Sequence, residues 1–447
     1  MRHDAAMTMP RNAAPGRSGW GQACRGMLED VTIRKGFLAI TGQGFASATN
    51  FLTGVIIGRA CTKEQLGLYT LGFALVVFLL EVQTALIATP YMVYSPRLEG
   101  AEHQRYTGSS LVQQVAFFMV VVGLLAGAAA GLSLGFGPGH LAPVLWILTA
   151  VVTFIMLKDY VRRLCFATMR MGNAVLVDAG VAVLQIGALL VLARLGVLTP
   201  GRAFWVIGAA CGAVALAWLF SHRRLFCVRM SSASGHLRQN WTFAKWVFFS
   251  AVLWSLSMNF YPFILEYLKG TASVGVWGAC FAMVALGNPL LMGGQNFLGP
   301  KIAAVYAADG AAVLRTFVLK ASLAYLAPLL LFCTVLWFIG GGLVVWLYGA
   351  KYAGNGWIVF TLSLNLPALA LTFTFSRALF VIERADVDFA VNFVALFVLL
   401  TFGIWMVRAY GPLGAAWGLC VANTAAFATR CAAFLYMVRA RSEVQKV

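Results

Sequence analysis

Two carboxylates, Glu81 and Asp178, stand inside long apolar runs of this chain. A charged side chain at the centre of a bilayer costs roughly 2.5–3.5 kcal/mol on insertion scales, so it persists where it faces a wet cavity or a partner. Two chemistries fit. A desolvated carboxylate holds its proton more tightly and can exchange a proton or a sodium ion as a cavity opens and closes. Alternatively it is the counter-charge of a nearby cation, and Lys158, Arg162 and Arg163 are the candidates. Both readings stand for Glu81 and Asp178 as ion-coupling residues.

Neutral polar residues form a softer set inside the runs: Gln43, Ser47, Asn50 and Thr53 in the first, then Gln185, Asn259, Asn288 and Asn392. Gln43, Ser47 and Asn50 follow spacings of four and three, which puts them on one helical face. Such a face can hydrogen-bond sugar hydroxyls in a wet cavity. For any one of them the plainer role is an interhelical hydrogen bond, worth about 0.6 kcal/mol on average. Arg59, Arg194 and Arg408 end apolar runs, where a cation either snorkels to the interface or supplies positive potential along the path of an anion.

Metal and covalent chemistry find little support. The nine cysteines contain no CxxC pair and the five histidines all lie outside the apolar runs, so no metal site or cofactor is implied. A membrane-embedded polymerase, ligase or glycosyltransferase would need acid, base or metal-binding groups beside a large cavity. The connections on one side offer only Glu64, His140 and Glu266 and none of them carries a DxD motif, so the chain reads as a non-enzyme.

The elements that must position these residues are set by composition. With 61% hydrophobic and 11% charged residues, 447 residues cannot cover a soluble surface. Apolar runs of 20 or more residues fit α-helices crossing roughly 30 Å of hydrocarbon. Twelve are expected, from Phe37–Arg59 to Leu413–Val438, and they are too long and lack the alternation for a β-barrel. The fold class is therefore all-α integral membrane. If the N-terminus is cytoplasmic, all of the 33 Lys and Arg fall inside except Arg59, Lys63, Arg194, Arg202, Lys269, Lys351 and Arg408. That asymmetry obeys the positive-inside rule with both termini cytoplasmic. The net charge of +18 then reflects topology and contact with membrane lipids, and nucleic acid is not a partner.

Internal echoes suggest duplication. Asn50-Phe51, Gly67, Phe73 and Ala74 match Asn259-Phe260, Gly275, Phe281 and Ala282 at a spacing near 208. Arg163, Phe166 and Arg170 match Arg377, Phe380 and Arg384 at 214. An even number of spans per half makes the repeat parallel, with two pseudo-symmetric six-helix lobes and substrate in the cleft between them. The division expected is a basic tail over 1–36, lobes over 37–220 and 241–438, a linker over 221–240 and a short tail over 439–447. Gly123, Gly127, Gly131 and Gly135 predict close packing of one helix, and Pro262 and Pro289 are the expected hinges.

The opening GQGFASATNFLTGVIIGRACTKEQLGLYTLGFAL has a polar face, a basic residue at its end and G-x-Y after the bend. With a basic stretch from Lys158 to Arg170, it resembles Wzx-type polysaccharide flippases of the multidrug, oligosaccharidyl-lipid and polysaccharide exporter superfamily. The long stretch before the first run departs from that pattern. The resemblance implies an undecaprenyl diphosphate-linked oligosaccharide, moved across the bacterial cytoplasmic membrane by alternating access of the lobes for lipopolysaccharide or related polymers. It covers Arg59 as a substrate contact and implies polysaccharide polymerase machinery as a partner. A multidrug extruder of the same superfamily is the alternative, with a cavity richer in carboxylates and aromatics.

Overall fold

The structure, a computed structural model, describes residues 31–444. Of the tails expected over 1–36 and 439–447, residues 1–30 and 445–447 lie outside the described residues. Every regular element among them is helical, as lipid requires of a single chain segment that must satisfy its own backbone hydrogen bonds.

The first half forms α1 (Val31–Ala60), α2 (Lys63–Arg97), α3 (Gly100–Ser133), α4 (Gly139–Ala167), α5 (Met171–Arg194) and α6 (Pro200–Ser221). The second begins with α7 in two pieces, Met230–Asn259 and Tyr261–Lys269, then α8 (Thr271–Ala308), α9 (Val313–Tyr348) and α10 (Gly356–Val381). Helices α11 (385–410) and α12 (412–444) are divided by Gly411 at φ 59°, a left-handed conformation that Pro412 follows. Gly310 at φ 75° separates α8 from α9 in the same way. Nine helices among the described residues are long and apolar enough to cross a membrane, or ten with the bent α7 pair as one span. The break at Gly411 makes two crossings of the Ala390–Arg439 stretch, and the 30-residue α1 completes twelve.

Local chemistry sets the helix ends. Thr62 and Gln65 form a reciprocal capping box at the start of α2, with Glu64 in its first turn. Thr199 accepts from the Arg202 amide and Pro200 occupies the first turn of α6. Helix α7 bends by 41° at Phe260, just before Pro262, and a 3₁₀ turn at Ala285–Gly287 precedes Pro289 in α8. Both expected hinge positions thus sit at interruptions. Helix α7 begins at Met230 rather than Trp241, so half of the 221–240 connection is helical. The start of that connection is bound to α3: the Cys227 amide donates to the Gln104 carbonyl at 3.0 Å, and a side chain at Gly108 would overlap the Cys227 carbonyl.

Packing repeats between the halves, with α4 against α3 and α6, and α10 against α9 and α12. Each sequence echo marks a repeated contact. At the 208 spacing, a Cβ on Gly67 would overlap the Thr271 carbonyl, and a Cβ on Gly275 would overlap the Lys63 carbonyl. Lys63 and Thr271 are themselves one repeat apart, so α2 and α8 cross reciprocally about a pseudo-two-fold axis. At the 214 spacing, Arg170 N donates to Cys165 O and Met169 N to Phe166 O, while Arg384 N donates to Leu379 O and Glu383 N to Phe380 O. Met169 and Glu383 have φ of 55° and 62°, which makes both turns Schellman caps.

The glycine stripe of α3 behaves differently from expectation. Nothing lies within 4 Å of a Cβ built at Gly123, Gly127 or Gly131, and Gly135 lies past the end of the helix at φ 94°. Small residues permit close approach but do not choose the helix that approaches. Here the tight crossing went to α2 and α8.

Candidate functional site

Helix α4 carries Lys158, Asp159, Arg162 and Arg163, and its four-residue spacing turns Lys158 and Arg162 to one face. Asp178 of α5 meets both. Lys158 Nζ lies 2.6 Å from Asp178 Oδ1, and Arg162 Nε donates to Oδ2 at 2.7 Å. The Asp178 side chain is fully buried, so these charge-assisted contacts replace its lost hydration. Arg162 then extends to α1, where Nη2 donates to Gln43 Oε1 at 2.9 Å. Gly42 of α1 packs against the same site: a Cβ there would lie 3.4 Å from Asp178 Oδ2.

The neighbouring face of α4 pairs Arg163 with Asp159 at 2.9 Å. Glu81 of α2 lies within electrostatic reach of that pair, half-buried and without an ion-pair partner among the described residues. Close by in sequence, Gln83 donates to the Met156 carbonyl at 3.1 Å and accepts from Gln114 at 3.3 Å. A π-helical turn, Thr84–Ala88, follows at once. Both candidate carboxylates therefore sit around α4: Asp178 is engaged by two cations, while Glu81 is only influenced by one.

The other candidates separate into two kinds. Gln185 is buried and donates to Thr53 Oγ1 at 2.8 Å, tying α5 to α1. Asn259 bonds back to Ser255 at 3.2 Å, one residue before the α7 bend. Asn392 accepts from Arg430 Nη2 at 2.7 Å. By contrast Asn50 and Asn288 are exposed and Ser47 is half-exposed, and none makes a protein side-chain hydrogen bond among the described residues. The buried Arg430 of α12 escaped sequence reading, although an arginine inside the run ATRCAAF was the visible signal. The bridging role of Arg162 was missed as well, and only the spacing of Lys158 and Arg162 hinted at it.

Arg59 lies at the other end of the bundle, exposed, with Nη1 3.4 Å from the Trp346 carbonyl of the second lobe. Lys351 returns the contact, donating to the Arg59 carbonyl at 3.4 Å and to that of Cys61. Burial pushes the Lys351 ammonium down from the ordinary lysine range. His140 Nε2 and Glu266 Oε1 add a contact between lobes at 2.6 Å. Together with the Gly67–Gly275 crossing, these contacts close the lobes at the end away from the basic loops. Among the described residues no three His, Cys, Asp or Glu side chains group to hold a metal.

A comparison with curated proteins finds no match. Solved structures do match in fold. An inward-facing multidrug resistance MATE family transporter of the MOP superfamily is 16% identical over 92% of this chain and 99% of its own, with a TM-score of 0.71. The lipid II flippase MurJ, in an inward closed conformation, is 14% identical over 90% and 87%, with a TM-score of 0.68. A MOP superfamily transporter from Pyrococcus furiosus Vc1 is 15% identical over 93% and 96%, with a TM-score of 0.63. Residues 32–306, more than half of the chain and including every residue of the α1–α2–α4–α5 cluster, match the family profile described as polysaccharide biosynthesis protein. The chain belongs to the polysaccharide biosynthesis protein family and shares the fold of MOP superfamily transporters.

Proposed function

We propose that this protein is a flippase that carries an undecaprenyl diphosphate-linked oligosaccharide across the cytoplasmic membrane for surface polysaccharide synthesis. The observation behind this reading is the polar face of α1, where Gln43 accepts from the Arg162 guanidinium and Ser47 and Asn50 follow along the same face. Hydroxyl-binding groups next to a phosphate-binding cation suit a sugar diphosphate. The basic end faces the cytoplasm, the sealed end faces outward, and the lobes rock about the α2–α8 crossing to give alternating access. Asn288 extends the polar lining from the second lobe, and Arg59 receives the anion as the outer contacts part. Gln185, Asn259 and Asn392 set the helices that frame the path. Polymerase machinery takes the product on the outer side.

No cofactor is needed, and proton or sodium exchange at a carboxylate supplies coupling. Glu81 is the better placed, because both Asp178 oxygens are engaged by cations. In proteoliposomes, translocation of lipid-linked oligosaccharide by wild type should depend on pH or sodium, and Glu81→Gln should remove that dependence while the protein stays folded. Translocation absent from wild type, with accumulation of a cationic drug instead, would move the assignment to a multidrug extruder. An unchanged dependence in Glu81→Gln would shift coupling to Asp178.

Orientation has its own check. In a cysteine-free background, Ser221→Cys should react with a membrane-impermeant maleimide only from the cytoplasmic side, and Ala353→Cys only from outside. Labelling of both from one side would break the proposed topology.

A further inference from the structure

A cavity of about 420 Å³ opens between α2 and α3 of the first lobe and the first piece of α7 in the second. Its walls are mainly apolar, with Leu86, Val112, Ala116 and Val120 facing Leu237 and Trp241, and no acidic residue lines it. One polar group is out of place. Gln113 is 8% exposed and lines the cavity, its Oε1 accepts from Asn240 Nδ2 at 3.0 Å, yet its Nε2 has no partner. An unpaired buried amide N–H costs about 1–3 kcal/mol, so an acceptor is expected there.

The residues are ordered along α3. Arg105, Val112 and Ala116 follow spacings of seven and four and share a stripe. Arg105 is exposed and lies eight residues before Gln113, about 12 Å toward the basic end. On α7, Arg238 is also exposed, between Ser234 and Trp241 on the cavity side of the helix. Neither arginine forms an ion pair among the described residues, not even with Glu102 one turn before Arg105. On α3 the Arg105 cation thus lies nearer the basic end than the Gln113 donor, and on α7 Arg238 lies beside the apolar slot.

We infer that this seam is a binding site for one anionic glycerophospholipid of the leaflet at the basic end. Arg105 and Arg238 hold its phosphate, the Gln113 amide donates to an acyl ester carbonyl, and one acyl chain fills the cavity. The ester carbonyl decides the occupant, because an isoprenoid diphosphate has none to offer Gln113. Tyr106 Oη donates to Asn240 Oδ1 at 2.8 Å, and His236 Nδ1 lies 2.9 Å from Ser109 Oγ, so the two lobes are latched across this seam. A lipid held here bridges both lobes and biases their movement.

Native mass spectrometry tests the site on the full chain, purified and equilibrated with mixed micelles of phosphatidylglycerol, phosphatidylcholine or undecaprenyl phosphate. One phosphatidylglycerol per chain should remain on wild type after washing. Ala116→Trp fills the slot from an exposed position and should abolish retention, and Val120→Trp provides the same test if the first variant fails to fold. Arg105→Ala combined with Arg238→Ala should lower the preference for phosphatidylglycerol over phosphatidylcholine about thirtyfold, the loss of two cation contacts at a membrane surface. Equal retention of both phospholipids by wild type, retention unaffected by filling the slot, or undecaprenyl phosphate held in place of phosphatidylglycerol would overturn the assignment.

Discussion

A single methyl group at Gly67 should destabilise the protein by more than about 3 kcal/mol, the upper range of ordinary overpacking. A Cβ there meets the backbone carbonyl of Thr271, not the end of a flexible side chain, so α2 and α8 must move apart as rigid bodies. Gly275→Ala should behave alike, since its Cβ meets the Lys63 carbonyl across the same axis. The internal control is Gly123→Ala. Nothing lies within 4 Å of that Cβ, and alanine in a helix interior gains about 0.5–1 kcal/mol over glycine. Thermal unfolding in detergent, followed by size-exclusion chromatography, should therefore rank Gly123→Ala at or above wild type and both crossing variants far below it. If Gly67→Ala unfolds with wild type, the lobes do not pivot on this contact.

Removing the charge of Asp178 should cost about 3–5 kcal/mol, because Lys158 and Arg162 would remain partly buried without their shared counter-ion. Asp178→Asn keeps the shape and isolates that charge term. Adding Lys158→Met removes one of the stranded cations, so the double variant should recover much of the lost stability, a non-additivity expected only of groups in one network. Arg162 would then have Gln43 as its remaining named partner, and the α1 face would stay in place. Additive losses in the double variant would mean that Asp178 acts alone. The same series bears on transport, because Arg162 links the buried pair to the polar face proposed to meet the substrate.

The halves use their equivalent positions differently. Asp178 and Asn392 are one 214-residue repeat apart, and each accepts a hydrogen bond from an arginine. In the first lobe that arginine comes from α4 and continues to α1. In the second it comes from α12 and is 2% exposed. The repeat preserved a polar acceptor on the fifth helix of each lobe but not the element it serves, so the α1 face is the one joined to a charged network.

Much of this architecture was legible one residue at a time. Run length, charge asymmetry and two faint echoes determined twelve helices in two lobes, because a bilayer constrains each segment independently through its thickness and its intolerance of unsatisfied backbone. The echoes even marked the contacts that recur, the α2–α8 crossing and the paired Schellman turns. Partners were another matter. Asp178 and Glu81 look alike in sequence, and only helix rotation about α4 gave one of them two cations and left the other unpaired. The stripe glycines Gly123, Gly127 and Gly131 of α3 are as small as Gly67 of α2, but a neighbour approaches only the latter. Gln185 reads as a cavity residue until Thr53 is seen beside it. Apolarity and periodicity decide that a helix forms and where it ends; which side chains meet depends on the rotation and tilt of every neighbour at once, and that is settled by packing.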